Sequence, residues 1–295
     1  MAKFHEPVLL KEVIEFLKIE PGEKYLDATL GGGGHTAAIL KSGGIILAID
    51  SDPEAVGAAR SYLASACPPG KHSSWRLVSG NFKDLGRIAQ KENWLKVSGV
   101  LFDLGVSSHQ LEKGERGFSF GREGPLDMRM DPNLKVTAAD LGNGLHQGEL
   151  NELFTKLGQE QRSRRLAEAL VRARKIRPIK TTGELAAIIS QVSPRKGRLH
   201  PATRVFQALR IAVNDELNNL EKALPQAMAL LKPKGRLVVI SYHSGEDRLV
   251  KTFFKAEAKK EHLKIITKKP VRPTTEESKS NPRSRSAKLR VAEKK

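Results

Sequence analysis

The 295-residue chain contains one cysteine, Cys67, and only 5% aromatic residues. A lone thiol cannot close an internal disulfide or build a thiolate metal cluster, and it suits a reducing compartment. No apolar run approaches the length that spans a bilayer. The opening Met1-Ala2-Lys3-Phe4-His5-Glu6-Pro7 lacks an apolar core of signal-peptide length. These absences lead us to expect a soluble cytoplasmic protein. Chemical signatures are missing as well. No Gly-x-x-x-x-Gly-Lys-Ser/Thr occurs, which argues against a P-loop nucleotide hydrolase. No Gly-x-Ser-x-Gly elbow occurs. The eight histidines are scattered, without His-Glu-x-x-His or paired Cys/His spacing, so no catalytic metal is expected.

Positive charge is abundant. The net charge is +18, and it is concentrated in two segments. Residues 160–210 hold 13 Lys/Arg against 3 Asp/Glu, and residues 255–295 hold 14 against 5. The remainder is nearly neutral. Two dense basic blocks on a neutral body are the electrostatic footprint of a polyanion binder. Neither block carries a Trp/Phe-rich apolar face, which favours nucleic acid over a membrane surface.

The run Asp27-Ala28-Thr29-Leu30-Gly31-Gly32-Gly33-Gly34-His35-Thr36 follows a short apolar strand at Lys24-Tyr25-Leu26 and leads into a helix at Ala37-Ala38-Ile39-Leu40. A strand that breaks at glycines and restarts as a helix opens a cofactor site. Ligand can approach the bare backbone closely, and the first helical N–H groups are free to donate. Further strands are expected at Ile45–Ile49, Trp75–Ser79, Gly99–Phe102 and Arg236–Ser241, with helices between them. Lys232-Pro233-Lys234-Gly235 reads as a turn before the last of these. Leu289–Ala292 reads as an edge strand, and residues 272–287 as a loop or partly disordered arm. Residues 109–130 read as an ordered loop, and Gln147 to Val192 as purely helical. The fold class is therefore α/β, a mostly parallel, doubly wound Rossmann-like sheet with an inserted all-helical subdomain. We expect the sheet domain to comprise residues 1–108 and 204–295, and the helical insertion, a candidate RNA-recognition subdomain, residues 109–203.

Ligands of such sheets bind outside the carboxyl ends of the strands. Asp27, Asp50, Asn81 with Phe82, and Asp103 all fall there. Asp50 stands one βαβ step beyond the glycines, where an acid typically accepts from ribose hydroxyls. Phe82 suits either an adenine wall or an ordinary core place. The acidic tips favour a cationic nucleoside such as S-adenosylmethionine over a dinucleotide, which would need donors for its pyrophosphate. Asp103-Leu104-Gly105-Val106-Ser107-Ser108 and Ser241-Tyr242-His243-Ser244 are candidate floor segments. His243 could equally be a structural hydrogen-bonder.

In these segments the chain resembles the RsmH (MraW) family, bacterial 16S rRNA cytosine-N4 methyltransferases. The matching blocks are His5 to Leu10, Thr29 to His35, Asp103 to Ser108, Arg116 to Phe120, Gly124 to Met130, His200 to Leu217, Ser241 to Ser244 and Asn281 to Arg290. They run in order from end to end. Ala28 stands where the family usually has glycine, and Gly245 where leucine is common. The resemblance implies a class I S-adenosylmethionine-dependent methyltransferase, with cofactor contacts at Gly33, Gly34, His35, Asp50, Phe82, Asp103 and Gln110. It implies N4-methylation of a cytidine in the decoding region of 16S rRNA, at position 1402 in the conventional rRNA numbering. The expected partner is the small ribosomal subunit or its rRNA, with neither DNA nor membrane. Monomer and homodimer are both open. The acid/Asn/Ser-Pro-Pro-aromatic motif of DNA N4-amino methyltransferases does not occur. Asp103 leads the catalytic candidates, as acceptor of the N4 proton or as holder of the methionine end, with Tyr242 and His243 next. Two other classes share part of the pattern: a nicotinamide-dependent oxidoreductase and a non-catalytic RNA-binding assembly factor.

Overall fold

A computed structural model describes residues 7–66, 75–193 and 200–295. The expected features at His5, Glu6 and Cys67, and the basic residues Arg195, Lys196 and Arg198, lie outside the described residues. Contacts divide the chain into two compact units. The first runs to Val106 and resumes at Leu217; the second is Ser107–Glu216.

The first unit begins with α1 (Leu10–Leu17), β1 (Lys24–Asp27), α2 (Gly34–Lys41), β2 (Ile45–Asp50), α3 (Pro53–Ala66), β3 (Trp75–Ser79), α4 (Leu85–Lys91) and β4 (Val97–Asp103). The second carries α5 (Ser108–Glu112), α6 (Ala138–Gly144), α7 (Gln147–Lys156), α8 (Ser163–Ile176), α9 (Thr182–Val192) and α10 (Thr203–Asn214). The first then resumes with α11 (Glu216–Leu230), β5 (Leu231–Ser241), α12 (Ser244–Lys259), β6 (Leu263–Ile265), α13 (Thr275–Ser280) and β7 (Lys288–Lys294).

The seven strands form one sheet in the order β3-β2-β1-β4-β5-β7-β6. The neighbours from β3 to β5 pair in parallel, and β7 pairs antiparallel with both β5 and β6. The order reverses between β1 and β4, the point at which a doubly wound sheet opens a crevice at its strand tips. Strand residues alternate between two cores. Leu26, Leu47, Val100, Phe102 and Leu237 pack with Leu224 of α11 and Phe254 of α12. Tyr25, Ile46, Leu101 and Val238 pack with Leu17 of α1, Ile39 of α2 and Leu63 of α3. Burial on both faces explains the unbroken apolar runs in β2, β4 and β5.

Four expectations need correction. The strand at Leu289–Ala292 is longer (β7) and lies inside the sheet; β6, three residues long, is the edge. Lys232–Gly235 is a bulge within β5, where the register slips between Val97/Leu231 and Gly99/Arg236 and Lys234 takes φ 65°. The segment 272–287 is ordered as α13 and a 3-10 turn at Pro282–Ser286. Glu277 on α13 accepts the Leu9 N–H at 2.8 Å, tying this segment to the start of α1.

The division expected at 203/204 falls instead at 216/217, because α10 packs on α6 and α7. In the second unit α8 packs between α7 and α9, around buried Phe154, Leu166, Leu170 and Ile189. Its loop at 125–130 is held by side chains. Arg129 grips both Asp127 oxygens at 2.8 and 2.7 Å, and the Asn214 amide bonds Met130 N–H and the Met128 carbonyl, each at 2.7 Å. No helix among the described residues is long and apolar enough to cross a membrane.

Two glycines of the first unit should respond oppositely to a methyl group. At Gly99, in β4, an added Cβ would sit 2.8 Å from Leu17 Cδ2 and 3.0 Å from Tyr25 Cδ1. Gly99→Ala is therefore expected to cost about 1–3 kcal/mol in urea unfolding. Gly57, on the exposed side of α3 with nothing nearby, should gain up to about 1 kcal/mol on substitution by Ala. Equal effects at the two positions would contradict this packing.

Candidate active site

The tips of β1, β2 and β4 each end in a carboxylate: Asp27, Asp50 and Asp103. Each is tied to the backbone of its neighbour. Asp27 Oδ1 accepts the Thr29 N–H at 3.0 Å, and Oδ2 accepts the Thr36 hydroxyl at 2.8 Å. Thr29 Oγ1 then accepts the Asp103 N–H at 2.6 Å, linking the β1 tip to the β4 tip across the switch point. Asp50 Oδ2 accepts the Gly31 N–H at 2.8 Å, and Oδ1 the Asp52 N–H at 2.9 Å. The glycine run is thus pinned to the β2 tip.

Within that run the glycines differ. Gly33 has φ 81°, and a Cβ there would also press Ala59 at 3.3 Å, so the position requires glycine. Gly34 opens α2, where a Cβ would come within 3.0 Å of Pro7. Gly32 needs neither: its φ is ordinary and a Cβ would meet nothing within 4 Å. Its bare backbone leaves open space that a ligand can use.

His35, the second residue of α2, is buried. Its Nε2 lies 3.0 Å from the Val8 carbonyl, and its Nδ1 lies 3.5 Å from Asp103 Oδ2. Burial pushes the imidazole below its ordinary pKa and keeps it neutral near pH 7. A carbonyl partner accepts only, which assigns the proton to Nε2 and turns the Nδ1 lone pair to Asp103. Asp103 Oδ1 accepts the Tyr242 hydroxyl at 2.7 Å. Burial lifts the Asp103 carboxyl to about 7, partly offset by the Tyr242 bond. Burial lifts Asp50 to about 6, against the N–H groups of Asp52 and Gly31. Asp27 is also raised by burial, with the charge of a protonated His35 opposing it. Burial, and then the Asp103 charge, push the Tyr242 phenol well up, so Tyr242 stays a donor.

Tyr242 and His243 form the turn into α12. Glu246 Oε2 accepts the Tyr242 N–H at 2.8 Å and the His243 N–H at 3.3 Å. His243 Nδ1 accepts the Gly245 and Glu246 N–H groups at 3.2 and 3.4 Å. The imidazole is therefore the N-cap of α12 and holds the turn that presents Tyr242. Phe82, in the 3-10 turn after β3, is half-buried and meets Phe102 edge-on at 5.8 Å.

The first unit thus brings Gly33, Gly34, His35, Asp50, Phe82, Asp103, Tyr242 and His243 to the carboxyl edge of one sheet. Gln110 belongs to the second unit, where it closes a capping box with Ser107 at the start of α5. Sequence reasoning missed Thr29 and Thr36 as partners of the tips, and Glu246. The spacing His243-x-x-Glu246 is that of a capping box and could have revealed the last.

A doubly wound, mostly parallel sheet with a glycine bend after β1 and acidic tips on β1, β2 and β4 is a class I S-adenosylmethionine-dependent methyltransferase fold. The model of the MraW methylase family matches residues 2–295, and the chain belongs to that family. It is 50% identical to the "Ribosomal RNA small subunit methyltransferase H" of Dehalococcoides mccartyi, over 98% of this chain and 86% of that one. It is also 50% identical to the protein of that name from Thermomicrobium roseum, over 98% and 93%. The resemblance read from the sequence blocks is borne out.

The raised Asp103 fixes a sign. Its folded pKa, about 7, exceeds the ordinary 3.8, so the ionised carboxylate destabilises the free protein. The cost is absent below pH about 4, grows as pH rises, and is complete above about 7. Asp103→Asn keeps an acceptor for Tyr242 and removes the charge. It is expected to stabilise the ligand-free protein at pH 8 by on the order of a few kcal/mol, with the gain shrinking toward pH 4. Urea unfolding at several pH values checks this; a gain independent of pH would contradict it.

Proposed function

We propose that this protein transfers a methyl group from S-adenosylmethionine to N4 of a cytidine in the decoding region of 16S rRNA, position 1402 in the conventional rRNA numbering. The observation that carries this reading is the half-buried Asp103 carboxyl at the switch point, held by Tyr242 on one oxygen and facing neutral His35 on the other. The name shared by the two relatives, ribosomal RNA small subunit methyltransferase H, supports the rRNA substrate.

The tip residues fit a cationic nucleoside. Asp50 and Asp103 bear the cost of burial when ionised, and a ligand bringing hydroxyl donors and positive charge removes that cost. Phosphates would be repelled by the same carboxylates, which disfavours a dinucleotide. Open space at Gly32 admits the ligand to the backbone. We assign the cofactor contacts to Gly33, Gly34, His35, Asp50, Phe82 and Asp103. When bound, S-adenosylmethionine supplies an electrophilic methyl group on a sulfonium.

Cytosine N4 is a weak nucleophile because its lone pair is delocalised into the ring. Orientation of N4 contributes the largest share of the acceleration. Asp103 Oδ2 accepts an N4–H, concentrates electron density on nitrogen, and takes the proton as the new N–C bond forms. Tyr242 donates to Oδ1 and keeps the carboxylate more acidic than burial alone would leave it. His243 is a positioning residue that fixes the Tyr242 turn. Exposed cations on the second unit hold RNA phosphates.

The direct test is nucleoside mass spectrometry of small-subunit rRNA from cells lacking this protein, before and after incubation with the purified protein and S-adenosylmethionine. N4-methylcytidine should appear only after incubation; methylation at another atom, or none, refutes the reading. kcat/KM for S-adenosylmethionine, which reports the ligand-free protein, should rise with pH and level off above about 7, the Asp103 value. Tyr242→Phe should move that rise to higher pH, since it removes the bond that lowers Asp103. An unmoved profile would exclude Asp103 as the acceptor. Asp50→Ala should weaken cofactor binding several-fold or more in calorimetry, since a buried charge-assisted bond is lost.

A further inference from the structure

Both basic blocks of the sequence spend part of their charge on internal partners. In the block at 255–295 several charges are used within the first unit. Lys288 and Arg290 pair with Asp247, Lys260 with Glu257 and Lys295 with Glu261, and the Lys294 ammonium bonds the carbonyls of Ala229 and Leu231. In the block at 160–210, Arg177 pairs with Glu184, Arg204 with Glu160 and Arg210 with Glu216, and the exposed charge gathers on one helix. On α8, Arg164, Arg165, Arg172 and Lys175 are all exposed. Among the described residues Arg164, Arg165 and Lys175 have no carboxylate partner, and Arg172 has only Glu168 at 3.8 Å.

Helical geometry gathers these four on one side. At 3.6 residues per turn they fall within an arc of about 100°, and Arg164 and Lys175 are about 17 Å apart along the axis. The opposite side carries buried Leu166, Ala167 and Leu170. Beside the stripe Ile176 is 88% exposed, and Lys180 extends the exposed positive charge beyond the helix end.

We infer that this face of α8 is the track for the phosphate backbone of the RNA substrate, with Arg164, Arg165, Arg172 and Lys175 spaced along several successive phosphates. The inference rests on the rRNA reading above and locates its grip. A lipid surface is disfavoured because the apolar side of α8 is already packed in its own unit and cannot enter a bilayer. The guanidinium-rich composition suits phosphate, which arginine can bind in bidentate fashion.

The test uses the full chain and a transcript spanning the decoding region, with affinity measured across a range of sodium chloride. The triple variant Arg164→Gln, Arg165→Gln, Lys175→Gln should lower the log–log salt slope by about 2, as expected for three lost contacts to a single strand. Its cofactor affinity and unfolding midpoint should equal those of the parent. A control triple, Lys255→Gln, Lys259→Gln, Lys264→Gln, removes the same charge from exposed positions of the first unit and should keep the parental slope. A parental slope in the α8 variant overturns the inference, and so does an equal loss in the control. Binding of the parent to vesicles of phosphatidylserine and phosphatidylcholine, abolished in the α8 variant, would overturn it in favour of a membrane. Failure of the broader reading looks different: the parent would bind RNA and leave cytidine N4 unmethylated.

Discussion

Taking a carboxylate out of water is costly, and this protein does it three times at neighbouring strand tips. Asp27, Asp50 and Asp103 are all pushed upward by burial. A structure keeps such a cost only where surrounding contacts hold the groups in place or where function requires it. Here both apply. Asp27 is enclosed by Thr29 and Thr36, and serves to bind the tips together. In the proposed reading Asp50 and Asp103 keep oxygen lone pairs for the ligand. The sheet order supplies the geometry, because β1 and β4 are adjacent at the point where the winding direction reverses.

The rigidity of the site comes from short local bonds rather than from size. Thr29 links two strand tips through one hydroxyl. Gly33 makes the bend that lets α2 start under His35. His243 and Glu246 cap α12 reciprocally, and in doing so fix the position of Tyr242. Together these contacts place a neutral imidazole, a carboxyl near neutrality and a phenol in one chain of contacts. In the proposed reaction the carboxyl of that chain receives a proton from an exocyclic amine.

Much of this was legible in the sequence, and the reason is physical. The buried strands β2, β4 and β5 show as unbroken apolar runs because both faces are covered. The glycine bend shows because its glycines stand between a strand and a helix. Other features left weaker marks. β6 has three residues, too few for a period. β7 lies inside the sheet, but position within a sheet is set by pairing that its own residues do not encode. Segment 272–287 looks disordered because it is polar, and its order depends on Glu277 reaching the backbone of Leu9, far away in sequence. The apolar face of α10 shows a buried helix without showing which unit buries it. At the site, the acids were visible at strand ends, whereas the pairing of His35 with Asp103 was not, since it joins α2 to β4. Both basic blocks were visible as charge, and only the fold shows which of their cations lie together on one helix face.

In the proposed reading the tip carboxyls hold protons near neutrality in the free protein and release them on binding a cationic nucleoside. Calorimetric titration with S-adenosylmethionine at about pH 6.5, repeated in buffers of different ionisation enthalpy, measures this directly. With Asp50 at about 6 and Asp103 at about 7, binding should release a substantial fraction of a proton, and the observed enthalpy should vary with the buffer accordingly. An enthalpy independent of the buffer, or net proton uptake, would contradict it.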